Sequence, residues 1–247
     1  VGQVNQVLNS STSNQQSEGE SPPSPGGSAD TPFKPKGTGV VEQTKEAAAA
    51  AAKKAGLDPS TLQLFAAVES SMGQKTNSGK SSAQGPFQFI PSTWRDVVKS
   101  HGQKYGVTPE DSPSDPYKSG LMTAAYMKEN EPKIKKHKST ADIRDFYMAH
   151  MLGGSGVQTF LKMRPEDIPA TMMPGAAKNS SSVFYKDYKN LKDPYTRAQV
   201  DEHLAQKFTK LGQAFGVPVN FGTSTTPAND SKATNNASTQ GTTDAVT

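Results

Sequence analysis

Between residues 40 and 221 apolar side chains recur three and four positions apart, which is the period of a helix with one buried face. The clearest stripe is Val200, Leu204, Phe208, Leu211 and Phe215, and it predicts a helix over Thr196–Phe215. Ile143, Phe146, Tyr147 and Met151 predict another over Ser139–Met151, with Gly153-Gly154 as its stop and a short helix following at Val157–Met163. Ser114-Asp115-Pro116 opens a helix through Leu121, Met122, Ala125, Tyr126 and Met127. Ser92 reads as the cap of a helix through Trp94, Val97 and Val98. Nearer the start, Glu42–Ala55 is a Lys/Glu/Ala-rich helix stopped by Gly56. Pro59-Ser60 then opens a helix with Leu62, Leu64, Phe65, Ala66 and Val68. No stretch alternates apolar and polar residues convincingly, so the expected fold class is all-α.

The pattern fades at both ends. Residues 1–39 are dominated by Ser, Pro, Gly and Gln, and residues 222–247 by Ser, Thr and Asn. Such segments bury too little apolar surface to offset their ordering entropy. The expected organisation is a low-complexity arm over 1–39, one helical domain over 40–221 and a tail over 222–247. The arms also account for a hydrophobic fraction of only 32%. A start at Val1 rather than Met reads as a processed product or a fragment.

Charge adds little. Residues 1–39 set Glu18, Glu20 and Asp30 against Lys34 and Lys36, and 222–247 set Asp230 and Asp244 against Lys232. Each arm is therefore −1, and the middle is +6 of a net +4. The basic residues are not clustered with exposed aromatics, so no nucleic-acid partner is expected. No apolar run reaches the roughly 20 residues of a membrane helix. The absence of cysteine excludes a disulfide framework, a zinc ribbon and a thiol nucleophile. His101, His137, His150 and His203 are scattered without ligand spacing, so no metal or other cofactor is expected.

Three stretches carry candidate chemistry. Glu69 follows the apolar run Phe65-Ala66-Ala67-Val68 near a helix end. A carboxyl desolvated there would keep its proton at neutral pH, as a general acid must. Gln84 to Trp94 joins Gly85, which lets backbone approach closely, to Gln88, which offers a donor and an acceptor, and to Phe87, Phe89 and Trp94. Tyr147 and His150 stand three apart in the last turn before the glycine cluster. Each has a plainer reading: a surface Glu, aromatic core plugs and a packed Tyr beside a His at a helix end.

In this order the stretches resemble the goose-type-lysozyme-like lytic transglycosylase family. Its pattern is a catalytic Glu followed by Ser, then G-L-M-Q-h-x-P-x-T, then A-Y-N-A-G. Glu69-Ser70 matches the first part. Gly85 to Thr93 matches the second, with Pro86-Phe87 in place of Leu-Met. Ala149 to Gly153 stands at the third with His150 for Tyr and Met151 for Asn, so that His150 or Tyr147 must supply the tyrosine's role. The continuation through Phe160-Leu161 and Ala176 to Tyr185 is similar to the subset found in bacteriophage virion proteins and related secreted bacterial proteins.

The resemblance implies a lysozyme-like helical domain that cleaves the β-1,4 bond between N-acetylmuramic acid and N-acetylglucosamine in peptidoglycan, leaving a 1,6-anhydro end. Glu69 would be the catalytic acid and then base. Ser70, Gln88, Phe89, Tyr126, Tyr147 and His150 would bind substrate. A hydrolytic lysozyme would need a second carboxylate, for which Asp96, Asp111 and Asp115 are available. A structural virion or peptidoglycan-binding module without catalysis is the third reading. The setting implied is a virion tail, baseplate or internal core protein that opens the wall as the genome enters, its arms held by neighbouring virion proteins. A secreted or periplasmic bacterial protein is the alternative.

Overall fold

The computed structural model describes residues 33–76 and 82–222. Most of the predicted arms, 1–39 and 222–247, lies outside them. The described residues form nine helices and one two-stranded hairpin: α1 (Val40–Ala55), α2 (Pro59–Ser70), α3 (Pro91–Tyr105), α4 (Pro116–Lys135), α5 (Ile143–Lys162), α6 (Pro169–Met172), α7 (Pro174–Asn179), α8 (Ser181–Phe184), β1 (Tyr185–Asp187), β2 (Lys192–Pro194) and α9 (Arg197–Phe215). The fold is mostly helical, as the stripes predict. None of these helices is long and apolar enough to cross a membrane.

Local chemistry sets most helix ends. Asp58 accepts the Ser60 N–H and starts α2, with Pro59 as its first residue. Asp115 does the same for α4 through the N–H groups of Tyr117 and Lys118. Thr196 and Gln199 form a reciprocal capping box on α9. Two predicted starts are corrected. α3 begins at Pro91 with Ile90 as its cap, so Ser92 lies inside the helix. α5 starts at Ile143 rather than Ser139, with Asp142 as its cap and Asp145 completing the box.

α1 turns Ala47, Ala48, Ala51 and Ala52 inward, and these small side chains let it lie close against α2 and α4. At Gly120 of α4 an added Cβ would stand 3.0 Å from the Ala51 Cβ. α4 packs in turn on α3 and α5. α9 closes the bundle against α2 and α5, with Val200, Leu204 and Phe208 fully buried. Phe65, Met72, Met122 and Phe160 fill the centre. Burying side chains of this size contributes about 1.5–3 kcal/mol each.

The helical run breaks at Gly153, as the sequence predicts: its φ of 71° and ψ of 171° are non-helical, so α5 is two helical segments meeting at a kink, the second reaching Lys162. Gly154 allows α4 to approach, because a Cβ there would stand 2.6 Å from Asn130 Oδ1. The hairpin at 185–194 is unexpected from the sequence. Its two strands pair Tyr185 with Pro194 and Asp187 with Lys192.

The chain beyond α9 returns to the start of α5. Gly222 N–H donates to Asp142 Oδ2 at 3.2 Å, and the Arg144 guanidinium lies 4.5 Å from the Phe221 ring centroid. Asp142 pairs with Arg144 at 2.7 Å, and Lys138 bridges Asp142 and Asp145 at 3.3 and 2.6 Å. Burial, then the Asp142 charge, push the Asp145 carboxyl up to about 6, against the pull of Lys138.

Candidate active site

α2 ends in an unusual way. Ser71 and Met72 take left-handed φ values of 52° and 59°, and Gly73 follows at 82°. Non-glycine residues adopt such angles at a cost of order 1–3 kcal/mol each, so packing must hold them there. The Ser70 hydroxyl does part of this. It lies 2.7 Å from Pro86 O and 3.1 Å from Ala66 O as a donor, and it accepts the Gly73 N–H at 2.8 Å. Ser70 is 1% exposed. Its expected substrate contact is therefore corrected: it fastens the end of α2 to the Gly85–Gln88 turn.

That turn is closed by a bridge, with Gln84 N–H donating to Phe89 O at 2.8 Å and Phe89 N–H donating to Gln84 O at 3.0 Å. Gly85 is obligatory here. Its φ is 72°, and a Cβ would fall 2.0 Å from Pro113 O. Gln88 is itself left-handed at 52°, and its amide donates to Gly85 O at 2.8 Å and Thr76 O at 3.3 Å. Phe89 meets Trp94 edge to face at 5.3 Å. Trp94 donates to Asp111 O at 3.0 Å and is a core residue.

The Glu69 side chain is 17% exposed, on the turn beside this loop. Its Oε1 is 3.8 Å from His150 Nε2 of α5. Phe65, one turn earlier on α2, packs edge to face against both Tyr147 and His150, at 6.2 and 5.1 Å. Desolvation pushes the Glu69 carboxyl up from 4.5 to about 7, with the Lys207 charge on α9 working the other way. Desolvation pushes His150 down to about 4. At neutral pH the pair is thus a neutral imidazole beside a carboxyl close to half protonated. It is not an ion pair. Burial, then the Glu69 charge, raise the Tyr147 phenol as well.

Behind His150 lies an apolar cavity walled by Phe65, Phe87, Phe89, Val97, Met127 and Phe146, with Gln88, Thr93, Thr123, Tyr126 and His150 as its polar lining. Tyr126 Oη donates to Ala149 O at 3.2 Å, and burial, then Glu129, push its phenol up to about 12. The structure therefore gathers Glu69, Tyr147 and His150 around Phe65, and Gln88, Phe89, Tyr126 and His150 around the cavity. Asp111 and Asp115 have other work: Asp111 accepts the Thr108 N–H and pairs with Lys118, and Asp115 caps α4. Asp96 is exposed on α3.

The transglycosylase SLT domain family matches residues 46–159, from within α1 to near the end of α5. This chain carries an SLT domain. The enzyme is accordingly a lytic transglycosylase of lysozyme-like type, and peptidoglycan is its substrate. Glu69, Gln88, Phe89, Tyr126, Tyr147 and His150 all fall inside the matched residues. Lys207, whose charge reaches Glu69, falls outside them on α9, in a part of the chain where the sequence directs attention to the apolar stripe. The one signal it gives is a lysine immediately before Phe208, at the edge of that stripe.

Proposed function

We propose that the SLT domain cleaves the N-acetylmuramic acid β-1,4 N-acetylglucosamine bond with Glu69 as its single acid and base. The observation that carries this reading is the Glu69 carboxyl, 3.8 Å from a neutral His150 and kept about half protonated near pH 7 by burial. Glu69 gives its proton to the glycosidic oxygen, and the bond from that oxygen to the muramoyl C1 breaks. The N-acetylglucosamine unit leaves with a 4-hydroxyl. The Glu69 carboxylate then takes the proton of the muramoyl C6 hydroxyl as O6 bonds to C1. The product is a 1,6-anhydro ring, Glu69 is protonated again, and no water is consumed.

Gln88, Phe89, Tyr126, Tyr147 and His150 form the walls against which the glycan is bound. The engagement of Asp111 and Asp115 elsewhere supports the lyase over a two-carboxylate hydrolase. Mass spectrometry of soluble products from purified peptidoglycan tests the reading. Anhydro muropeptides are expected, and Glu69→Gln should release them about a hundred- to ten-thousand-fold more slowly while keeping its fold. Reducing ends, or full activity in Glu69→Gln, would sink the mechanism.

The setting belongs to the same proposal. The His150-Met151 variant of the third motif and the low-complexity composition of both arms support a virion component in tail, baseplate or internal core. It would open the wall as the genome enters, with the arms docked on neighbouring subunits. Purified particles should contain the chain, and its absence from them would favour a secreted or periplasmic enzyme.

A further inference from the structure

Lys207 sits on α9, beyond the residues matched to the SLT family. Its Nζ is 3.4 Å from Tyr147 Oη and 5.0 Å from the centroid of that ring. The next residue, Phe208, meets the same ring edge to face at 5.5 Å. α9 thus grips Tyr147 by two consecutive side chains. An ammonium has donors and no acceptor. In this hydrogen bond the Tyr147 oxygen must accept, and the phenolic proton is left for an acceptor elsewhere.

The placement is costly for a surface lysine. Lys210, on the same helix, stays in water, whereas Lys207 is drawn in and desolvated. The charge that offsets this is Glu69. The titratable groups that face Glu69 are Tyr147 and His150 on α5 and Lys207 on α9, while α1 presents alanines to α2.

We propose that Lys207 is a positioning residue of the transglycosylase reaction: it fixes the Tyr147 hydroxyl as a donor directed away from α9 and balances the charge of Glu69 after that carboxyl has released its proton. The proposal rests on Glu69 being the acid and base. It extends the working unit past the matched residues to the last helix. Burial strengthens the hold of Glu69 on its proton, and the Lys207 charge opposes that hold.

The test compares Lys207→Met, Lys207→Arg and wild type as full chains. The Glu69 carboxyl is titrated by carbon NMR, and anhydro-muropeptide release is followed against pH. Without the ammonium the carboxylate loses stabilisation, so the Glu69 midpoint and the alkaline limb of the rate should both rise by about one pH unit. Turnover at the optimum should fall about ten-fold with KM within about two-fold. Lys207→Arg should restore both. Should Lys207→Met fail to fold, Lys207→Gln keeps a donor to Tyr147 and removes the charge, and the midpoint should still rise. An unmoved midpoint in a folded, uncharged variant overturns the role of Lys207 even if activity drops. An inactive wild-type chain instead sinks the acid–base reading of Glu69, and the Lys207 role with it.

Discussion

Glu69 is held where burial favours its uncharged form, and this has a thermodynamic consequence separate from catalysis. Its carboxyl is raised from 4.5 to about 7 on folding. The folded state therefore binds the proton more tightly than the unfolded state. The stability this contributes is fully present below about pH 4.5 and is lost as pH rises through about 7. At neutral pH and above, the loss is on the order of 3 kcal/mol. Glu69→Gln has no such proton to lose. Its melting temperature should exceed that of wild type by an increasing margin from pH 4.5 to 7 and by a constant margin above, as measured by calorimetry. A margin that does not change with pH would mean that the carboxyl is better solvated than its surroundings indicate. The acid role proposed for Glu69 would carry this cost in stability. Its burial is legible in the sequence because an acid after an apolar run is out of place. Ser70 was misread because its partner, Pro86, is brought to it from 16 residues away by the turn.

The helices show what periodicity reveals and what it hides. The stripe from Val200 to Phe208 marks the buried face of α9 correctly because the burial of one face is a local pattern. The break at Gly153 is legible because glycine commonly follows helices, and the backbone there is non-helical. What Gly154 does depends on α4, which no local pattern contains. Gly154→Ala should bring a Cβ within 2.6 Å of Asn130 Oδ1 and Lys133 Nζ. The variant should unfold at lower urea with a loss of about 1–3 kcal/mol, the usual cost of overpacking. An unchanged midpoint would show that the Asn130 and Lys133 side-chain ends swing aside without net cost. The hairpin at 185–194 escaped notice for a different reason. Its strands are three residues each and mostly exposed, so no apolar alternation was required of them.

For the whole molecule the decisive contacts are the distant ones. Phe208 is fully buried and joins α9 to Tyr147 of α5. Phe208→Ala should cost about 3–5 kcal/mol in denaturant unfolding. It should also lower activity, because the grip on Tyr147 goes with it; unchanged turnover would mean that α9 serves stability alone. Asn220, just past α9, reaches back 162 residues to Asp58, the cap of the helix that bears Glu69. Seen in time rather than in space, this closure orders the protein's manufacture. A ribosome adds about 5–20 residues per second, so the helix carrying Glu69 is complete roughly eight to thirty seconds before the segment that seals it. Until α9 is made, the chain lacks both the ammonium and the ring that meet Tyr147 in the finished fold.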